Sequence, residues 1–139
     1  EGNKEMVTLE EEIEYLNNYI ELHKIRYKKS VEITFNHKVN TSLTIAPLLY
    51  IILLENAFKH GIETLAEDAF IHINLTEETG FIIFSIENNF DPNEISSSNG
   101  IGLQNLKRRL SLLYKNKHEL QIDVSNSLYK TTLKIAKHA

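Results

Sequence analysis

The feature that most constrains this chain is the segment from Ile45 to Gly61. Within it Leu48, Leu49, Ile51, Ile52, Leu53, Leu54, Ala57 and Phe58 leave almost no polar side. Pro47 suits the first turn of a helix and Gly61 a left-handed end, so a helix is expected between them. A helix apolar all round is buried all round. Its apolar stretch from Ile45 to Leu54 is about half of what a bilayer span needs, which makes it the centre of a core rather than an anchor. Glu55, Asn56 and His60 are then conspicuous, because ionisable and amide groups rarely stay in such a place without partners.

The rest of the chain supplies elements that could surround that helix. Thr8 followed by Glu11 reads as a capping box. After it Leu9, Ile13, Leu16 and Ile20 form one stripe, with acidic residues early and Lys24, Arg26, Lys28 and Lys29 late, in the sense that complements the helix dipole. Val31 to His37 alternates as a half-buried strand. Ile71, Ile73 and Leu75 form a second strand, and Ile82, Phe84 and Ile86 a third, whose parity carries Asn88 to the apolar face. Asp91 to Gly100 has loop composition. Gly102 to Tyr114 reads as a helix with Leu103, Leu106, Leu110 and Leu113 inward and Lys107, Arg108 and Arg109 partly outward. Leu120 to Ala136 reads as two strands joined near Ser125 to Ser127. This order implies an α/β (α+β) two-layer sandwich, with one mixed or antiparallel sheet and helices on one face.

Composition narrows the function. The 139 residues suffice for one core. A net charge of −4 lacks the basic excess of a nucleic-acid binder, so no nucleic-acid partner is expected. The absence of cysteine excludes thiolate zinc, a disulfide scaffold and a cysteine nucleophile. No His, Asp and Glu set has metal-ligand spacing. The acidic opening is unlike a signal peptide, and a start at Glu1 rather than Met points to a piece of something longer.

Three polar features remain. Asn56 and His60 share one helix face, and Glu55 and Lys59 the adjacent one. Asn88 ends a strand on the helical side. Asn99-Gly100-Ile101-Gly102-Leu103-Gln104-Asn105 opens a helix, where backbone N–H groups and the positive dipole end favour anions. Each has an ordinary structural alternative: a satisfied core pair, a surface histidine, common loop chemistry. Their joint order carries more weight than any one of them.

Glu55-Asn56-Ala57-Phe58-Lys59-His60-Gly61, after Ile45-Ala46-Pro47-Leu48-Leu49, resembles the N box of sensor histidine kinases. Asn99 to Leu110 resembles their second glycine box and following helix. Leu9 to Ile20, with Arg26-Tyr27, is similar to the linker helix of the LytS/YehU-type subfamily. The resemblance implies a Bergerat (GHKL) ATP-binding fold, with residues 1–30 as linker helix and 31–139 as catalytic domain. It implies ATP and Mg²⁺ as cofactors, with Asn56 as Mg²⁺ ligand. Glu55 would activate the phosphoacceptor or orient water, and Lys59 and His60 would lie near the phosphates. Gly100, Ile101, Gly102 and Leu103 would form the phosphate loop, Asn105 would begin the helix beneath it, and Asn88 would face adenine. It implies as partners the histidine-bearing dimerisation helices of the same parent and a response regulator. The whole would be a homodimer whose catalytic domain is cytoplasmic, in a membrane-anchored sensor.

Two departures stand out. The family's first glycine box, Asp-x-Gly-x-Gly, is here Asn88-Asn89-Phe90-Asp91-Pro92, and the loop from Asp91 to Asn99 is short. An Asn carbonyl accepts the adenine bond with less charge assistance. This leaves open a degenerate domain that binds nucleotide weakly and serves as a signalling or dimerisation module. No Pro-His-Phe phosphoacceptor motif occurs, and His23, His37, His72, His118 and His138 are scattered, which makes the chain the catalytic half only.

Overall fold

The computed structural model describes residues 6–94 and 100–137. Elements follow the order β1 (Val7–Thr8), α1 (Leu9–Lys24), β2 (Val31–Lys38), β3 (Thr44–Ile45), α2 (Tyr50–His60), a 3-10 turn (Ile62–Thr64), β4 (Ala69–Glu78), β5 (Phe81–Asn89), α3 (Ile101–Leu113), β6 (His118–Ser125) and β7 (Leu128–Ala136). The main sheet has the strand order β2-β4-β5-β7-β6. Only the β2–β4 pairing is parallel, because the chain between those two strands crosses over through α2. The result is the expected two-layer α/β sandwich with a mixed sheet.

The sheet's alternation decides where the core lies. Ile71, Ile73, Leu75, Ile82, Phe84, Ile86, Leu133 and Ile135 are all buried and share one face, since the register sets Ile73 against Ile86 and Phe84 against Leu133. Onto this face comes α2, whose Tyr50 ring stacks on Phe84 with centroids 4.2 Å apart. Alongside it, α1 buries Leu9, Ile13, Leu16 and Ile20, each contributing about 1.5–3 kcal/mol of transfer free energy before entropy is subtracted. Its capping box is present: the Glu11 N–H donates to Thr8 Oγ1 (3.2 Å), and the Thr8 N–H donates to Glu11 Oε1 (3.0 Å).

Four expectations need correction. α2 starts at Tyr50, not near Pro47. Ile45 pairs in β3 with Val7, and Leu48 takes a left-handed φ of 64°, which no α-helix can run through. The helix is also not buried all round, because Glu55 and Lys59 are exposed. Its end residue Gly61 has φ −116° rather than a left-handed value. Glycine is required there by close approach: a Cβ would stand 2.3 Å from Asn88 Nδ2 and 2.6 Å from the Ala57 carbonyl oxygen. Finally, Leu113 is largely outside the core (39% exposed). α3 ends there, and Tyr114 takes the buried position, its hydroxyl accepting from the Ala46 N–H at 2.9 Å.

Candidate functional site

The site is built where α2, the start of α3 and the ends of β5 and β7 meet. Ile52, Asn56 and His60 are spaced by four on α2 and so share a stripe. A Cβ on Gly102 would lie 3.6 Å from Ile52 Cγ2, which places the first turn of α3 against the upper end of that stripe. Asn56 is half-buried, one turn further along.

Asn88 is buried (3% exposed), as the strand parity predicted, and packs under Gly61 at the lower end. Its Nδ2 donates to the Asn89 carbonyl at 3.0 Å. That bond fixes the amide orientation and leaves Oδ1 as the oxygen with capacity to accept from a ligand. Directly across the ladder from Asn88 stands Tyr129. Burial pushes the Tyr129 phenol up, while hydrogen-bonding interactions with the side chains of Thr131 and Asn56 oppose that rise. Thr131 is itself buried. Tyr129 and Thr131 therefore belong to the site, though nothing but strand alternation marked them in the sequence.

The segment resembling an altered first glycine box is anchored by its own polar groups. Asn89 Oδ1 accepts from the Phe70 N–H and its Nδ2 donates to the Asp68 carbonyl, both at 2.9 Å. The Phe90 N–H donates to the Ser127 carbonyl at 3.0 Å, and the Asp91 N–H to Thr64 Oγ1 at 3.0 Å. Phe90 thus continues the β5–β7 neighbourhood instead of forming a glycine turn.

α3 begins at Ile101, with Gly100 as its N-cap in a left-handed conformation (φ 79°) and no side-chain cap bond. Such a φ favours glycine, and the first-turn N–H groups of a helix have no partner within the helix. Ile101 and Asn105 are exposed and Leu103 is half-buried. Asn105 lies within the helix instead of beginning it. Asn99 lies outside the described residues, as do 95–98 of the loop and His138.

Glu55 and Lys59 point elsewhere on α2. They line a groove against α1 together with Tyr19, His23, Arg26, Tyr27, Phe58 and Glu63. The structure therefore links Asn56 to Asn88 through Tyr129, sets Gly102 against Ile52 on the same α2 stripe, and places Glu55 and Lys59 on the adjoining flank. Burial, then the neighbouring Lys59 charge, holds the His60 imidazole below its ordinary value, against a weaker pull from Glu63. At neutral pH His60 is uncharged and offers a hydrogen bond, not a cation, to an anion nearby.

The residues fit a magnesium nucleotide. Among the described residues there is no cluster of three or more His, Cys, Asp or Glu able to cage a metal. A single amide oxygen on Asn56 suits Mg²⁺ that arrives with phosphate oxygens already attached. The start of α3 suits the phosphates, and the Asn88 carbonyl suits an amino-bearing base.

Comparison with known proteins bears on the fold and on the family of the relatives. Residues 1–31 match the family described as Histidine kinase. Sensor protein LytS of Streptococcus mutans is 28% identical over 135 residues, which cover 88% of this chain and 23% of that protein. Sensor histidine kinase YesM of Bacillus subtilis is 26% identical over 130 residues, covering 86% of this chain and 22% of that protein. The chain thus spans about a quarter of the length of these relatives. Among solved structures, the catalytic domain of histidine kinase ThkA superposes with a TM-score of 0.67 at 19% identity, covering 96% of this chain and 97% of that one. ThkA in complex with response regulator protein TrrA gives 0.60 at 16% identity, covering 96% and 42%. The chain has the fold of histidine kinase catalytic domains, and its sequence relatives are sensor histidine kinases of the LytS type.

Proposed function

We propose that this domain binds Mg²⁺–ATP between α2, the amino end of α3 and the β5–β7 ladder, and that the γ-phosphoryl passes to a histidine outside residues 1–139. The observation that supports this reading is the placement of Asn56 beside Tyr129, which stands across the ladder from Asn88, with Gly102 packed against Ile52 one turn earlier on the stripe of Asn56. Bound Mg²⁺–ATP supplies the phosphoryl group and neutralises charge on the departing diphosphate. The chain's own part is positional. Asn56 holds the metal through Oδ1, Asn88 Oδ1 accepts from the base, and the first turn of α3 faces the phosphates. His60 is a neutral hydrogen-bond partner there, and the positive charge of Lys59 stands on the adjoining flank. Glu55, exposed on the flank beside them, takes the proton that the acceptor imidazole gives up.

The histidine would sit on dimerisation helices of the same parent, to which α1 leads, in a homodimeric and membrane-anchored sensor with this domain in the cytoplasm. Among the described residues no helix is long and apolar enough to cross a membrane. A response regulator would receive the phosphoryl group, a role supported by the ThkA–TrrA complex among the similar structures.

Calorimetry with a non-hydrolysable ATP analogue tests the reading. Binding is expected in the micromolar to millimolar range, on the order of −4 to −8 kcal/mol. Asn56→Ala should weaken binding with Mg²⁺ far more than binding without it. Equal loss in both conditions contradicts the ligand role, and a folded chain that gives no heat supports the weakened signalling module instead.

A further inference from the structure

We propose that Glu12 and Arg109 are positioning residues for the amino end of α3, acting through the backbone of Leu48. The proposal rests on the reading of that helix end as the phosphate-facing part of the site.

Leu48 is a branched residue held at φ 64°, a conformation that is unfavourable for any side chain and persists only when its surroundings enforce it. Two elements do so. From α1, Glu12 Oε2 accepts the Leu48 N–H at 3.4 Å. From α3, Arg109 spreads its fork over two successive carbonyls, with Nη2 donating to Pro47 at 2.7 Å and Nη1 to Leu48 at 2.9 Å. One strained peptide thus lies between the linker helix and the helix that opens with Gly100. The Tyr114 hydroxyl, accepting from the Ala46 N–H, pins the far end of α3 to the same turn.

Glu12 is a poor choice for stability alone. It is only 4% exposed, and among the described residues its Oε1 has no hydrogen-bond partner; nor does the buried Tyr50 hydroxyl. A buried carboxylate with an unpaired oxygen costs free energy, which is accounted for if Glu12 is kept for what its other oxygen holds. Arg109 follows Ile101 by eight residues, about 12 Å along the helix axis, too far to touch a phosphate at the amino end. Its influence on the site must pass through the placement of α3. Lysine has no fork to span two carbonyls, so Arg109→Lys keeps the charge and removes the anchor.

Two measurements test this in the folded domain. The first is amide hydrogen exchange over residues 101–106 without nucleotide, and the second is calorimetry with the non-hydrolysable analogue and Mg²⁺. Arg109→Lys and Glu12→Ala should each speed exchange at 101–106 and weaken analogue binding by about 2- to 30-fold, the range for residues that modulate a site without touching its ligand. The double variant should be no weaker than the worse single one, because both act on one peptide. Glu12→Gln, which keeps an acceptor oxygen, should restore wild-type behaviour. The proposal is overturned if the variants melt earlier yet keep wild-type exchange and affinity, or if the two losses add. A wild-type chain that fails to bind the analogue defeats the proposed function, and exchange at 101–106 still decides whether Glu12 and Arg109 position the helix.

Discussion

Gly61 and Asn88 show how much at the residue scale depends on contact across elements. The helix end lies so close to the β5 amide that one added methyl would overlap it. Gly61→Ala should destabilise the fold by about 1–3 kcal/mol, as overpacking does, read as a lower denaturant midpoint. An unchanged midpoint would mean that the strand end yields freely. Asn88→Asp tests the other side of that contact. A carboxylate strengthens acceptance from an amino-bearing base, so the preference for ATP over GTP analogues should rise, and unchanged discrimination would remove Asn88 from the adenine position. The burial of Asn88 was legible from strand parity alone. The involvement of Tyr129 and Thr131 was not, because it depends on a ladder register that pairs residues about 40 apart and leaves no local mark.

Whole elements were legible wherever local chemistry agreed with the packing. The Thr8–Glu11 cap, the Leu9 to Ile20 stripe and the alternation of β4, β5 and β7 each state their own structure. The start of α2 departs from its sequence signal because Pro47 obeys a helix-start preference, while the turn from Ala46 to Leu49 is set by distant groups on α1 and α3. A window along the sequence has no access to Arg109 reaching back to Pro47. The same turn yields a pH prediction. Burial raises the Glu12 carboxyl above its ordinary 4.5, opposed by the Leu48 N–H and the Arg109 charge. The folded chain therefore holds a proton that the unfolded chain has released, from that value upward to the raised one. This contribution is present at low pH and lost as pH rises through the window. Relative to wild type, Glu12→Gln should gain stability across that window and show no trend below it. Denaturant melts at stepped pH measure the difference, and a constant difference at every pH would place Glu12 in water.

At the scale of the molecule, the division of labour is clear. The sheet, α1 and α2 make one core, while Asn56, Asn88 and the start of α3 are placed by elements that meet only in the folded chain. The histidine kinase resemblance makes these residues the candidates. It could not say that Glu55 and Lys59 would face α1, on a flank separate from Asn88, because adjacent helix positions diverge by about 100°. The most direct test maps amide and side-chain NMR shifts while the non-hydrolysable ATP analogue and Mg²⁺ are titrated into the whole chain. The account predicts shifts concentrated at Asn56, Asn88, Tyr129 and Gly100 to Leu103. Saturable binding whose shifts leave those residues still and gather elsewhere on the surface would contradict it.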